Sequence, residues 1–290
     1  MPVDSRRLQG PENSFSYKLL EKKNDNEEEA ALSADLQKIL IGTNKVRKDK
    51  RIPSDARPLC NVTITGIVSQ AKGSAYIEQG NTKLVCGVYG PREVQKKSDF
   101  SLNGQLFCEF KFAPFSCQKR RGHQQDNEEL VLSGLLREAL EAAVCLHQFP
   151  KAQVEVNVMV IENDGSPLAA ALTCASLALA SASIPMYDLV IGTSVRQLPK
   201  LLLLDPTKDE EWEPELNHDE DNSNLTIGFM PSTHQIAAYV HEGVSKTEDL
   251  EQMLKLATEY CLKVQPVVQL CLKEVVEKTL SNESENKVDE

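Results

Sequence analysis

The chain has 290 residues, of which 41% are hydrophobic and 26% are charged, and its formal net charge is −11. This length allows a sizeable core in one or two domains, and the composition is ordinary for a globular protein. The negative charge argues against an autonomous nucleic-acid-binding protein, because phosphate contacts need clustered cations, but it still allows a local basic patch.

The sequence predicts neither a metal site nor a membrane partner. Eight cysteines are scattered without a C-x-x-C pair or a Cys/His spacing typical of zinc, and we interpret them as reduced core residues of an intracellular protein. The N-terminus lacks the apolar run of a signal peptide. The uncharged stretch 165–187 is long enough to raise the question of a membrane span, but its small polar residues and Pro185 favour a buried helix.

The first half of the chain is predicted as an arm, a group of strands and a helix. Residues 1–54 consist of acidic and basic blocks and predict a flexible N-terminal arm. From Cys60 onward, short β-branched stretches with a Gly-Asn turn at 80–81 predict an antiparallel meander that ends with the strand 105–112. Apolar residues at three- and four-residue steps then predict a helix over 128–147.

The centre of the chain is predicted as a strand, a turn, a helix and another strand. Valines alternate with other residues over 154–160, which indicates a strand. After an Asn-Asp-Gly turn, Ser166 is predicted as the N-cap and Pro167 as the first residue of a helix that ends before Pro185. This helix carries no charge, so we expect neighbouring elements to cover most of its sides. The next strand is predicted over 187–191.

The C-terminal third is predicted to complete one α+β domain. A strand at 201–204 leads into an acidic loop, 205–221, and two further strands and a long helix follow. Residues 281–290 are polar and predict a disordered tail. Strands and helices therefore form a single domain over residues 55–280.

The turn before the uncharged helix is a candidate anion site. The free N–H groups at a helix N-terminus favour an anion. Here, however, Pro167 supplies no N–H, Asp164 adds a negative charge and Leu168 offers no cation. The residues by themselves favour a simple capped turn over an anion site.

The acidic loop and two basic stretches are the other candidates. Carboxylates that follow a buried strand can hold Mg²⁺ or act as acid and base, although such runs are more often solvated loops. Asp205 is the best candidate because it alone borders the apolar strand. Arg92, and the run Lys119, Arg120 and Arg121, either contact phosphates or form surface clusters without a ligand. The five histidines form no triad with Ser or Cys by spacing.

Ordered blocks of sequence carry a family resemblance. They are KLVCGVYGPRE at 83–93, FAPFS at 112–116, LREALE at 136–141, Asp-Gly at 164–165 with ASLALA at 175–180, and IPMYDLV at 184–190. Over residues 57–272 the chain resembles the RNase PH-like subunits of the eukaryotic RNA exosome. The resemblance implies a duplicated β-α fold of the ribosomal protein S5 domain 2-like type, with mixed sheets packed against helices.

The resemblance also implies a set of partners. RNase PH-like subunits associate into a six-member ring around a pore, with S1/KH-type cap subunits, an associated exoribonuclease and RNA as further partners. The implied work is 3′-to-5′ RNA processing and degradation, including rRNA maturation and mRNA turnover. The implied locations are the nucleus and nucleolus, and also the cytoplasm. No cofactor is implied.

Active members of this family cleave RNA from its 3′ end with phosphate as the attacking nucleophile. They hold phosphate with a Gly-Thr-Arg-type turn and use two aspartates six residues apart. Carried over to this chain, the turn reads Ser166, Pro167 and Leu168, and the two acidic positions are Asp205 and Glu211.

A bound, oriented nucleophile is the main source of rate in such a reaction, so we expect a non-catalytic structural subunit that contacts RNA through the basic residues. The alternatives are an active phosphate-dependent 3′-to-5′ exoribonuclease with Asp205 and Glu211 as its acid pair, and a stand-alone interaction domain.

Overall fold

The computed structural model describes residues 47, 49, 51–64, 66–94, 102–198, 201–211 and 222–286, and only the backbone of 278–286. Most of the predicted arm (1–46), part of the acidic loop (212–221) and residues 287–290 lie outside the described residues. The strands are β1 Leu59–Ile64, β2 Gly73–Gln79, β3 Thr82–Glu93, β4 Gln105–Phe112, β5 Ala152–Glu162, β6 Ile191–Leu198, β7 Leu201–Leu204, β8 Asn222–Met230 and β9 Gln235–Val244. The helices are α1 Asn127–Ala143, α2 Pro167–Ser181, α3 Lys208–Glu211 and α4 Thr247–Asn286, with a 3₁₀ turn at Leu146–Gln148.

Two sheets enclose the uncharged helix: a mixed sheet of five strands and an antiparallel sheet of four. The five-stranded sheet has the order β1-β2-β3-β5-β4, and the four-stranded sheet has the order β7-β6-β8-β9. Helix α2 packs against strands of both sheets, and α1 and α4 contact it as well. The predicted α+β class is therefore confirmed.

Helix α2 is as thoroughly covered as its lack of charge predicted. Every residue from 168 to 179 is buried. Two glycines show how closely its neighbours approach: a Cβ at Gly192 would lie 2.1 Å from the carbonyl oxygen of Ala169, and a Cβ at Gly73 would lie 2.4 Å from that of Ala178. The small residues of α2 allow these close contacts, and the packed helix fixes where its own N-terminus lies between the sheets.

The predicted meander is wrong in its last strand. β4 does not pair with β3; instead β5 lies between them, antiparallel to β3 and parallel to β4. The reason is the helix between β4 and β5. Parallel neighbours need a crossover connection, and α1 supplies it by packing on β4.

The predicted strand 187–191 is also wrong, because β6 begins only at Ile191. Tyr187 donates its backbone N–H to the carbonyl of Ala143 at 2.8 Å. The carboxylate of Asp188 accepts hydrogen bonds from the N–H of Leu189 at 2.8 Å and of Ser232 at 2.6 Å. These bonds hold the segment as an irregular connection and keep it out of the sheet.

Both ends of the described domain extend past the predicted boundaries. Arg47, inside the predicted arm, is 3% exposed, and its guanidinium binds the Glu210 carboxylate at 2.6 and 2.9 Å and the carbonyl of Leu204 at 2.7 Å. At the other end, α4 continues to Asn286, beyond the predicted boundary at residue 280. Adding residues to an existing helix costs little compared with starting one.

Most of the cysteines lie in the core. None of the eight cysteines forms a disulfide; six of them are buried, Cys271 is half-buried and Cys60 is exposed. Burial raises the pKa of the Cys174 thiol to about 12, so this thiol is inert at neutral pH. In the part of the chain that the structure describes, no helix is long and apolar enough to cross a membrane.

Candidate functional site

A cavity of about 1180 Å³ opens where the N-terminus of α2, the loop after β4, helix α1 and strand β9 meet. We call this cavity the cleft. It is lined by Cys117, Gln118, Lys119, Arg120, Arg121, Gly122, Asp126, Glu128, Val131, Leu132, Leu135, Asn163, Ser166, Pro167, Leu168, Lys208, Glu211, Asn224, Thr226, Val240 and Glu242. The cleft therefore brings together the basic run, the predicted phosphate turn and the second acidic position. It does not include Arg92 or Asp205.

The turn at the head of α2 contains an unusual Ser166. The residue is the N-cap, as predicted, but its φ of 51° is left-handed and its hydroxyl makes no capping bond. Its backbone N–H instead donates to the Glu211 carboxylate at 2.5 Å, and its hydroxyl donates to the carbonyl of Pro206 at 3.3 Å. A carboxylate from another element thus binds the backbone N–H of the N-cap residue, the group that a glutamate at N3 binds in a capping box.

Burial shifts the pKa values of two carboxyl groups at this turn. Burial raises the pKa of the Glu211 carboxyl, and the Ser166 N–H, followed by the charge of Arg57, lowers it only in part. The neighbouring Asp164 carboxyl also has a pKa raised by burial, although the Asn81 amide donates to it at 3.0 Å. Two carboxyl groups therefore lie at the turn that the sequence resemblance matched to a phosphate site.

Asp205, the first acidic position, is part of a buried ion pair. It is 2% exposed, and its carboxylate accepts bonds from both sides of the Arg57 guanidinium at 2.7 and 2.9 Å. It also accepts the backbone N–H of Arg57 at 2.9 Å and the side-chain amide of Gln79 at 3.0 Å. Four donors already bind its two oxygens, so few acceptor positions of this carboxylate remain for a substrate or a metal.

Arg57 links this ion pair to the turn. Its guanidinium also donates to the carbonyls of Asp164 at 2.7 Å and Gly165 at 3.0 Å, and to the Thr82 hydroxyl at 2.9 Å. Burial by itself lowers the pKa of the guanidinium, but the bound Asp205 carboxylate more than offsets this, and the pKa is raised overall. Arg57 is therefore a structural cation that fixes the acidic strand end against the head of α2.

The basic run divides into one anchored and two free cations. Arg121 lies over the Phe112 ring at 4.1 Å and binds the carboxylates of Glu128 at 2.9 Å and Asp126 at 3.7 Å. These contacts tie it to the start of α1. Lys119 and Arg120 are exposed on the rim of the cleft, with no ion pair to another described residue. They are the members of the run that can reach an external anion.

Arg92 belongs to a different surface. β3 continues through Gly90 and Pro91 to Glu93, with an irregularity in pairing between Tyr89 and Arg92. Arg92 lies opposite Gln153 at the start of β5, whereas the cleft begins after the end of that strand. Ten residues of strand separate the two places by about 33 Å.

Two of the residues that build this site were not predicted. Arg57 and Arg47 lie in polar stretches without periodicity, and their partners are distant in sequence: Asp205 is 148 residues from Arg57, and Glu210 is 163 residues from Arg47. The local sequence around either arginine therefore does not indicate that its side chain forms a buried ion pair. Within the described residues, no group of three His, Cys, Asp or Glu side chains is arranged to hold a metal ion.

Comparison with known proteins agrees with the sequence resemblance. The model of the 3′ exoribonuclease family, domain 1 (RNase PH), matches residues 61–185. The exosome complex component MTR3 of mouse is 37% identical over 289 residues, which cover 94% of this chain and 95% of the mouse protein. Human MTR3 is 38% identical over 288 residues with the same coverage. The resemblance found from the sequence is confirmed, and these relatives are of the MTR3 type, also called exosome component 6.

Solved structures confirm the fold. The crystal structure of rice Rrp46 matches with a TM-score of 0.65 at 23% identity, over 77% of this chain and 98% of that chain. The Archaeoglobus fulgidus exosome with RNA bound to the active site contains a chain that matches with a TM-score of 0.66 at 20% identity, over 80% of this chain and 94% of that one. At these identities the likeness shows a shared RNase PH-like fold.

Proposed function

This chain belongs to the RNase PH family, and on that premise we propose that it is a non-catalytic, structural subunit of an RNA exosome ring. Its work is to complete the ring and to support 3′-to-5′ processing and degradation of RNA by the assembly. The relatives that cover almost the whole chain are exosome complex components. This near-complete coverage supports the assembly part of the proposal.

The observation that carries the non-catalytic part is the state of Asp205. At the position of a catalytic aspartate, its carboxylate is buried, saturated by Arg57 and Gln79, and absent from the lining of the cleft. A general acid or base must come within hydrogen-bond reach of the reacting groups. Asp205 cannot do so while it holds Arg57.

The turn is equally unsuited to phosphate. Leu168 supplies no cation, Pro167 supplies no N–H, and the carboxyl groups of Asp164 and Glu211 are close by. Two like unit charges 4 Å apart repel by about 4 kcal/mol at an effective dielectric constant of about 20, and phosphate at neutral pH is a mixture of the singly and doubly charged anions. The reaction would therefore lack an oriented nucleophile, its largest source of rate.

The assembly part is tested by the native mass of the endogenous protein after gentle purification from cell extract. We expect a hetero-oligomer many times the 32.2 kDa of this chain, with other RNase PH-like subunits, S1/KH-type cap subunits and an associated exoribonuclease. A monomer would remove the assembly argument, and a homo-oligomer would reopen the catalytic one. The proposal also places the protein in the nucleus, nucleolus and cytoplasm.

We assign the RNA contact of this subunit to Lys119 and Arg120. Each phosphate contact to single-stranded RNA contributes about 0.7 to the slope of log affinity against log salt concentration. In the assembled ring, Lys119→Ala with Arg120→Ala should therefore lower that slope by about 1.4, without a change in sequence preference. The measurement is RNA affinity of the ring at several salt concentrations.

The matched control for this double variant is Lys255→Ala. Lys255 is an exposed cation on α4 that pairs only locally with Glu251 at 2.7 Å, and its loss should leave the slope unchanged. Arg92→Ala reports separately on the other end of the sheet. An unchanged slope for the double variant would rule out the assignment of RNA contact to the cleft rim.

A further inference from the structure

We propose that the Glu211 carboxylate is a built-in anion, which occupies the N-terminus of α2 and excludes phosphate groups from it. This inference rests on the proposed non-catalytic function and deepens it. The loss of favourable groups explains why phosphate binds weakly at such a turn. In addition, the Glu211 carboxylate of the chain itself places a negative charge at the N-terminus of α2.

The Glu211 carboxylate binds the head of α2 directly. The Glu211 carboxylate lies 2.5 Å from the N–H of Ser166, and the Ser166 hydroxyl is 3.4 Å from the same oxygen. Since Pro167 has no N–H, the Ser166 group is the first donor that an incoming anion would meet at this helix end. The carboxylate has already taken it.

Hydrogen bonds of α3 bring Glu211 to this place. Arg196 donates to the backbone carbonyl of Glu211, and the Glu211 N–H donates to the carbonyl of Thr207 at 2.8 Å. The N–H of Lys208 donates to the carbonyl of Asp164 at 3.0 Å. The short helix α3 is thus fastened to the turn at its beginning and to β6 at its end.

Gly165 shows how closely α3 is docked on the turn. Its φ is 99°, and a Cβ there would lie 2.6 Å from the carbonyl oxygen of Pro206 and 2.7 Å from the N–H nitrogen of Lys208. Only a residue without a Cβ allows this approach. The carboxylate therefore reaches the helix end through a built backbone contact.

Ser166 does not use its hydroxyl to cap the helix that it precedes. A serine N-cap ordinarily closes its own helix end with its hydroxyl. Here Ser166 adopts a left-handed conformation, and its hydroxyl turns to Pro206 instead. Ser166 therefore does not cap the N–H groups of Leu168 and Ala169, and the Glu211 carboxylate binds the Ser166 N–H beside them. A phosphate would have to displace this carboxylate and also bear its repulsion.

The test is the affinity of the full chain for inorganic phosphate, measured by isothermal titration calorimetry. Glu211→Ala removes the carboxylate and keeps the backbone bonds that hold α3. We expect the dissociation constant for phosphate to fall by about ten-fold or more relative to the unmodified chain, because one close like charge is removed and a donor is released. Glu211→Gln, neutral but still filling the position, should give a smaller gain.

Glu242→Ala is the matched control. Glu242 is an exposed carboxylate that lines the same cleft but has no bond to the head of α2. Its removal lowers the negative charge of the cleft equally but releases no donor at the head of α2, so phosphate affinity should change much less than in Glu211→Ala. Equal gains for the two alanine variants would reduce the effect to net charge and overturn the inference, as would no gain for either.

A second measurement needs no alanine variant. If Glu211 binds the Ser166 N–H, the amide proton resonance of Ser166 should shift as Glu211 titrates, with a midpoint above the ordinary glutamate pKa of about 4.3 because burial raises the pKa. Asp164 and Asp205 lie nearby, so Glu211→Gln must abolish this shift for it to be assigned. A Ser166 resonance that does not respond to Glu211 would overturn the inference.

The two proposals fail separately. Phosphate-dependent release of nucleoside diphosphates by the unmodified chain in its assembly would contradict the non-catalytic function. An inactive assembly with a Glu211→Ala chain that still does not bind phosphate would contradict only the built-in anion, and would leave Pro167 and Leu168 as the cause.

Discussion

Replacing Arg57 with alanine should lower the free energy of unfolding by about 3–5 kcal/mol, the usual cost of removing one partner of a buried ion pair. Asp205 is 2% exposed in the unmodified chain, and the variant leaves its carboxylate with the Gln79 amide as the one remaining side-chain donor among the described residues. It also removes one of the two donors from each of the carbonyls of Asp164 and Gly165, which keep the Lys208 N–H and the Thr82 hydroxyl, respectively. Equilibrium unfolding in urea measures the loss.

Two further variants make this prediction specific. Arg57→Lys keeps the charge but not the fork that binds both carboxylate oxygens and the two carbonyls, so we expect an intermediate loss. Glu251→Ala breaks an exposed i,i+4 pair on α4 and should cost about 0.5 kcal/mol or less. If Arg57→Ala cost no more than Glu251→Ala, Asp205 would not be held by Arg57, and its catalytic candidacy would return.

Leu177→Ala is the second change with a large expected effect. Leu177 is 0% exposed in α2, the helix that both sheets enclose. Truncation of a buried leucine removes transfer free energy and leaves a cavity, at a cost of about 2–5 kcal/mol. We expect the upper part of this range, because the close contacts of α2 at Gly73 and Gly192 leave its backbone little room to relax into the space.

Leu130→Ala is the matched control for the core variant. It makes the same chemical change in a helix, at a side chain on α1 that is 54% exposed. Its cost should stay below about 1 kcal/mol, in the range of ordinary surface substitutions. Similar unfolding free energies for the two variants would mean that α2 is not the centre of the core.

The sequence was sufficient for features that depend on local pattern. The absence of charge in α2 predicted a covered helix, and Pro167 marked its first turn correctly. The hairpin between β2 and β3 followed from its Gly-Asn turn. In each case the side chains that specify the structure lie within one element, where periodicity and turn chemistry act directly.

Local sequence patterns do not determine the order of the strands in a sheet. The alternating residues of β4 predict a strand, but they do not say which strand is its neighbour. That depends on how the crossover through α1 packs, which is a property of the whole domain. The strand wrongly predicted at 187–191 failed for a related reason, since Asp188 binds Ser232, 44 residues away.

The site shows the same division. Asp205 was singled out because it borders an apolar strand, and that position is also why it is buried and needs a cation. Its cation, Arg57, stands 148 residues earlier in a stretch with no pattern. The family resemblance implies that Glu211 stands at the second acidic position, but only the docking of α3 on the turn shows that its carboxylate is bound to the head of α2.

The most direct test of the non-catalytic function is the release of nucleoside diphosphates from RNA by the purified assembly in the presence of phosphate. Diphosphates are the products of phosphorolysis, so a hydrolytic exoribonuclease in the same assembly does not give this signal. The account predicts no phosphate-dependent release that depends on this chain. Release that disappears when this chain carries Glu211→Gln or Asp205→Asn, with the assembly intact, would contradict it.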